Sequence, residues 1–169
     1  VIGPMVEDGN GGVWIATYGG GLNHYQPSTG KFTSHPDPEQ PGVPIMSLLI
    51  DSRGDFWVGM LTGLTRFDPI SGERERYIHD PANPSSLGHD SASALVEDAQ
   101  GRLWVGTLGG LDVFDRAQDA FVHVKIPDLG GVVTLYRGRD DSLWVGSWGT
   151  GLLRLDTSTY QDGVVTFER

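Results

Sequence analysis

The chain is predicted to be all-β, folded as four consecutive four-stranded propeller blades, and three observations predict it. Trp14, Trp57, Trp104 and Trp144 each stand in one recurring phrase: EDGNGGVWIATYGGGL, DSRGDFWVGMLTGL, EDAQGRLWVGTLGGL and GRDDSLWVGSWGTGL. Successive tryptophans lie 43, 47 and 40 residues apart, in the range of about 40–50 residues that marks propeller blades. Gly at 25 and Pro at 10 of 169 residues fall mostly between short apolar runs, which favours strands joined by turns. A repeat of this kind cannot bury its apolar face alone and stacks on its neighbours. The units run over about residues 1–36, 44–80, 90–126 and 132–169, together one propeller segment.

The third unit shows each element most cleanly. Ser91 to Glu97 alternates small or polar residues with Leu95 and Val96, as an innermost strand beside a crowded axis does. Asp98-Ala99-Gln100-Gly101 is a turn, because the Asp carboxylate accepts backbone N–H groups further on and Gly supplies positive φ. Arg102 to Thr107 is the second strand, with Gly106 leaving room for a neighbouring backbone. Gly109-Gly110 turns into a third strand at Leu111 to Asp115, and Ala120 to Val124 is the fourth. Four antiparallel strands in about 40 residues make one blade.

The other units repeat these positions. Asp8, Asp51 and Asp98 lie six residues before their tryptophans, and Gly11, Gly54 and Gly101 lie three before. The fourth unit has Gly138 and Asp141 there instead, so its turn is expected to close differently. Ala16, Gly59, Gly106 and Gly146 follow two residues after Trp. Leu22, Leu64, Leu111 and Leu152 open the third strands, one residue later in the first and fourth units. Outer turns follow at 26–30, 68–72 and 115–119, and a looser one at 156–163. The tryptophans Trp14, Trp57, Trp104 and Trp144 are expected to form the repeating structural core, each ring covering roughly 150–250 Å² between adjacent sheets.

The stretch Tyr77 to Phe121 resembles the two-component regulator propeller repeat of bacterial sensor proteins. The resemblance is carried by His79-Asp80-Pro81 with Asn83-Pro84-Ser85-Ser86-Leu87, and by Asp98-x-x-Gly101-x-x-Trp104-Val105-Gly106-Thr107. It extends over the chain as four units, the fourth weakest. The resemblance implies a sensor region outside the cytoplasmic membrane, on the periplasmic or extracellular side. It also implies a downstream β-sandwich, membrane span and histidine kinase or diguanylate cyclase, none of which is in this sequence. Family members commonly build rings of seven blades. Four blades, each running from innermost to outermost strand, are expected to form an open arc or half of a larger ring. Head-to-tail self-association through the end blades then closes it, with a four-bladed monomer as the alternative.

The formal charge of −10 works against nonspecific nucleic-acid binding and against adhesion to an anionic membrane surface. No run approaches the roughly 18 apolar residues of a membrane span, and the N-terminus carries no signal-peptide pattern. A start at Val1 fits a piece of a longer exported protein. With no cysteine, thiolate metal sites and disulfides are excluded. The Asp turns carry one or two carboxylates, not the dense oxygen set calcium takes, so neither metal nor cofactor is expected. GGGL at 19–22 leads into a strand rather than a helix, which argues against phosphate binding.

No catalytic constellation is recognisable in the five histidines or in the dispersed carboxylates. His89-Asp90-Ser91 cannot form a triad within itself, since adjacent strand residues face opposite ways. His89 and Asp90 are kept as candidate ligand contacts. Four residues past each tryptophan come Tyr18, Leu61, Leu108 and Trp148. Tyr18 and Trp148 sit in the longer glycine loops and suit a carbohydrate or aromatic ligand. Arg66 and Arg154, at matching third-strand positions, can face an acidic ligand or pair with neighbouring carboxylates. The function expected is a non-catalytic sensory module binding a small molecule, glycan-derived or otherwise, or a partner protein. Two alternatives stand beside it. One is a propeller lyase of lactone-type substrates, whose blade phrases are similar and whose chemistry needs a His and an acid facing across the axis. The other is a purely structural interaction scaffold.

Overall fold

Each tryptophan phrase folds as the second strand of an antiparallel sheet, entered through an Asp-closed turn and left through a glycine turn. The computed structural model describes residues 2–169. The first sheet holds β1 (Ile2–Glu7), β2 (Val13–Thr17), β3 (Gly21–Gln26) and β4 (Lys31–His35). The second holds β5 (Ile45–Ile50), β6 (Phe56–Met60), β7 (Gly63–Phe67) and β8 (Arg74–Tyr77). The third holds β9 (Ala92–Glu97), β10 (Leu103–Thr107), β11 (Gly110–Asp115) and β12 (Ala120–His123). The fourth holds β13 (Val132–Arg137), β14 (Leu143–Ser147), β15 (Gly151–Gln161) and β16 (Val164–Glu168). Every sheet follows chain order from its first strand to its last, and every pairing is antiparallel. Among the described residues no helix is long and apolar enough to cross a membrane.

The four sheets stack as blades, with innermost strands in the series β1, β5, β9, β13. One apolar cluster fills each junction. Trp14 packs with Phe56, Val58 and Phe67 between blades 1 and 2. Trp57 packs with Leu103, Val105 and Phe114 between blades 2 and 3, and Trp104 with Leu143, Val145 and Leu155 between blades 3 and 4. Each indole therefore faces the next blade along the chain. β6 and β10, covered on both sides, are buried at every residue, whereas β2 in the first blade alternates. Trp144, in the fourth blade, is only half-buried and belongs to none of the clusters.

Backbone chemistry at the Asp turns accounts for the repeated spacing. The first carboxylate oxygen of Asp51 accepts the N–H of Arg53 at 3.0 Å and of Asp55 at 2.9 Å. Asp98 does the same for Gln100 and Arg102, and Asp8 for Asn10 and Gly12. The glycine three before Trp takes positive φ in all three, 84° at Gly11, 85° at Gly54 and 76° at Gly101. The fourth turn closes differently, as its sequence requires. Asp141 itself adopts φ 61°, and Asp140 accepts the Ser142 backbone N–H and hydroxyl.

Small residues at the second position past Trp answer to the inner strand opposite. Gly59, Gly106 and Gly146 pair with Ser47, Ala94 and Thr134. A Cβ at Gly59 would run into the Ala92 carbonyl oxygen of the next blade and the Ser47 hydroxyl that donates to it. In the first blade Ala16 holds this position and is fully buried.

One element departs from expectation. The segment read as a loose outer turn at 156–163 is mostly strand: β15 continues to Gln161, and its pairing with β16 shifts register between Asp156 and Gln161. Asp156 accepts both the backbone N–H and the hydroxyl of Ser158, which fills the irregularity locally. The reversal is the dipeptide Asp162-Gly163, with φ 47° and 82°, the two consecutive positive values of a tight hairpin turn.

Candidate functional site

Antiparallel order places the turns in two sets. Turns leaving the second strands share one rim, the upper, with the connections between blades. The Asp turns and the turns joining the third strands to the fourth share the lower.

On the upper rim, Tyr18, Leu61, Leu108 and Trp148 occupy the same turn position in successive blades. They are 49%, 46%, 38% and 67% exposed, a row of apolar side chains presented to solvent. The turns of blades 1 and 4 are longer and built alike. Gly19 and Gly21 take φ 80° and 69°, Gly149 and Gly151 take 88° and 81°, and the Thr17 and Ser147 hydroxyls donate to the carbonyls of Gly21 and Gly151. Tyr18 and Trp148 share the rim but stand on blades 1 and 4, with two blades between them.

The other predicted contacts lie elsewhere or are engaged. His89 is exposed on the connection into blade 3, and its Nδ1 accepts the Ser91 N–H at 2.9 Å. Asp90 accepts the His79 N–H at 2.7 Å and so closes that connection. Arg66 stands opposite Trp57 and is ion-paired with Glu75 on the adjoining strand. Arg154, opposite Trp144, pairs with Asp140 at 2.7 Å and lies 3.6 Å from Glu168.

Histidines pair within their own blades. His24 Nε2 is 2.8 Å from Asp8, with its ring stacked 4.5 Å from Trp14. His123 Nδ1 lies 2.6 Å from the buried Asp112, and that hydrogen bond raises the imidazole pKa above its ordinary value. Burial, together with the charges of His24 and Arg74, lowers the pKa of His35 and keeps it neutral. Among the described residues no three His, Cys, Asp or Glu side chains gather as a metal site.

The lower rim is held by arginines reaching across the junctions. Arg116 of blade 3 binds Asp51 and, at 2.8 Å, Asp55 of blade 2. Arg102 of blade 3 holds Asp98 at 2.6 Å, donates to the Thr157 carbonyl of blade 4 and lies 4.8 Å over Tyr160. Asp51 and Asp98 also accept the indole N–H groups of Trp57 and Trp104, at 2.9 and 2.7 Å. Single-unit patterns gave no signal for the contacts of Arg116 with Asp51 and Asp55 or of Arg102 with Thr157, because each joins two units.

With this geometry in place, the class is clear: an open propeller segment of four blades with an apolar upper rim. Residues 86–109 match the model of the family described as Two component regulator propeller. No curated protein sequence matches it. Among solved structures, it is similar to the extracellular domain of a putative hybrid two component system from B. thetaiotaomicron. That match has a TM-score of 0.76 and 20% identity, over 98% of this chain and 22% of that one. Virginiamycin B lyase from Staphylococcus aureus aligns with a TM-score of 0.74 and 22% identity, over 99% and 54%. PorZ, a surface component of the type-IX secretion system of Porphyromonas gingivalis, aligns at 0.72 and 19%, over 92% and 26%. The chain thus spans between about a fifth and about half of each of these structures.

Proposed function

We propose that this chain is a non-catalytic sensory segment of a bacterial signal-transduction receptor, on the periplasmic or extracellular side, that binds a small glycan-derived molecule along its upper rim. The observation that carries this reading is the exposed row Tyr18, Leu61, Leu108 and Trp148. Aromatic faces at both ends with aliphatic side chains between them suit the apolar faces of successive sugar rings. The family match at residues 86–109 and the fold shared with a two component extracellular domain support the signalling context. A ligand spanning several blades favours one blade packing over another, and its differential affinity sets the size of the signal. Lyase chemistry finds no support in the histidines, since His24 and His123 are tied to Asp8 and Asp112 of their own blades.

Calorimetric titration with a panel of neutral and acidic oligosaccharides tests this. At least one is expected to bind, and Trp148→Ala to weaken it about tenfold, or about 1.4 kcal/mol, at unchanged unfolding temperature. Failure of every oligosaccharide, or equal affinity in Trp148→Ala and Tyr18→Ala, would leave the scaffold reading in its place.

We propose also that two copies of this chain associate head to tail. The outer face of blade 4 exposes Tyr136 at 63% and Leu152 at 57% around Trp144, where the inner junctions bury their indoles. Blade 1 exposes Met5 and Phe32 on its own sheet. Light scattering is expected to give a dimer mass that Leu152→Lys reduces to the monomer. A monomer at high concentration overturns the proposal.

A further inference from the structure

Between blades 1 and 2 the upper rim opens into a cavity of about 250 Å³. Its walls include Leu22, Ile45, Val58, Met60 and Phe67, and its polar members are His35, Asp37, Gln40, Thr65 and Arg74, with Asp37 paired to Arg74 and Arg76. The chain supplies its own comparison one junction further on. By strand register, Leu64, Ala92, Val105 and Phe114 stand there for Leu22, Ile45, Val58 and Phe67. That space is filled by Leu87, fully buried in the junction cluster. Leu87 comes from a connection of fourteen residues, 78–91, whereas the first connection, 36–44, has only nine and sends in only the smaller, half-buried Val43. Pro36, Pro38, Pro41 and Pro44 fix φ along the short connection, so it stands over the gap instead of collapsing into it.

Two of these polar side chains, Thr65 and His35, make no hydrogen bond among the described residues. Thr65 is 2% exposed, and its hydroxyl makes no hydrogen bond among the described residues. Its counterpart one junction on, Asp112, is satisfied by the Gly88 N–H at 2.9 Å and by His123. The Thr65 hydroxyl lines the cavity and keeps slight access to it, so it is free to meet a ligand atom there. The His35 ring, neutral and free of hydrogen bonds, lies 4.9 Å from Trp14 and 5.8 Å from Phe67. Arg74 brings no free charge: its guanidinium lies 4.5 Å over Phe67, donates to the Pro36 carbonyl at 3.1 Å and faces Asp37 at 3.8 Å. Walls, volume and polarity together describe one kind of guest.

We propose that this cavity binds a small, neutral, ring-shaped apolar molecule carrying one hydroxyl, with Thr65 as its hydrogen-bond partner. The site is distinct from the exposed rim row and stands or falls independently of it. An apolar cavity of about 150 Å³ accommodates benzene, so this larger one has room for a substituted ring.

The test uses p-cresol and toluene, matched in size, and the methyl resonance of Met60 in methionine-labelled protein. Both probes are expected to shift that resonance, with p-cresol binding about tenfold more tightly. Thr65→Val is expected to remove the p-cresol advantage and leave toluene unchanged. Val43→Phe, which extends the loop's own side chain towards the gap, is expected to abolish both. An unshifted Met60 methyl at millimolar probe overturns the proposal, as does p-cresol binding that Thr65→Val leaves intact. So does binding that survives Val43→Phe in a folded protein.

Discussion

Asp51→Ala is expected to destabilise the chain by about 3–5 kcal/mol, the range for breaking a buried ion pair from one side. The carboxylate is fully buried and serves four donors: the backbone N–H groups of Arg53 and Asp55, the Trp57 indole and the Arg116 guanidinium. Removing it opens the turn, strands the indole N–H in the junction core and leaves Arg116 with Asp55 alone. Arg116→Met is expected to cost less than Asp51→Ala, although it leaves the buried Asp51 carboxylate without a counter-charge. Asp51 keeps three donors in that variant, and the buried Arg116 Nε, which has no partner, disappears with the side chain. Urea unfolding of both variants measures the difference. Equal losses would mean that the cross-blade pair, rather than the turn, carries the stability.

The same carboxylate makes stability depend on pH. Burial works to raise the Asp51 pKa, but the hydrogen bonds from Trp57 and Arg116 and the Arg116 charge outweigh it and hold it below the ordinary value. A depressed folded pKa contributes stability that is complete above the unfolded value of about 3.9 and is lost as the pH falls through the folded one. Asp8 is lowered too, by the Asn10 N–H against the opposing effect of burial, with help from His24. Acid unfolding is therefore expected to begin below about pH 4, and Asp51→Asn to flatten that limb.

The blade was legible in the sequence wherever one unit contains both halves of a contact. Asp98, Gly101 and Trp104 are such a case: carboxylate, positive-φ glycine and indole lie within seven residues, so the turn and its hydrogen bond follow from spacing alone. The fourth turn was legible as a departure, and Asp141 took the glycine's conformation. The extension of β15 was not, because Asp156, Ser158 and Thr159 are turn-formers by local chemistry and only pairing with β16 draws them into a strand. Contacts between units were hidden for the same reason. Nothing near Arg116 in sequence indicates Asp51, and nothing near Arg74 indicates His35. The cavity had one faint sign, the 43-residue first spacing against 47 in the second, since the shorter connection brings only Val43 where the longer one places Leu87.

Trp104→Ala is expected to be the most damaging of the tryptophan substitutions, at about 3–5 kcal/mol, because it empties the largest cluster and the collapse of neighbouring strands is restrained. The indole is fully buried among Leu143, Val145 and Leu155, meets Tyr160 edge-on at 5.2 Å, and satisfies Asp98. Trp104→Phe separates these contributions: most of the apolar filling stays, while Asp98 loses one donor and keeps Arg102, so a loss of about 1–2 kcal/mol is expected. Trp144→Ala is the internal control. That ring occupies the same place in its blade, yet Gly138 stands where the other units have Asp, so it makes no indole hydrogen bond, and the ring is only half-buried. Measured below the concentration of self-association, its removal is expected to change stability by less than about 1 kcal/mol. Above that concentration the loss is expected to appear in association instead. A Trp144→Ala loss as large as that of Trp104→Ala in the monomer would contradict the assignment of these rings as filling between blades, since burial against a following sheet is the one thing that separates them.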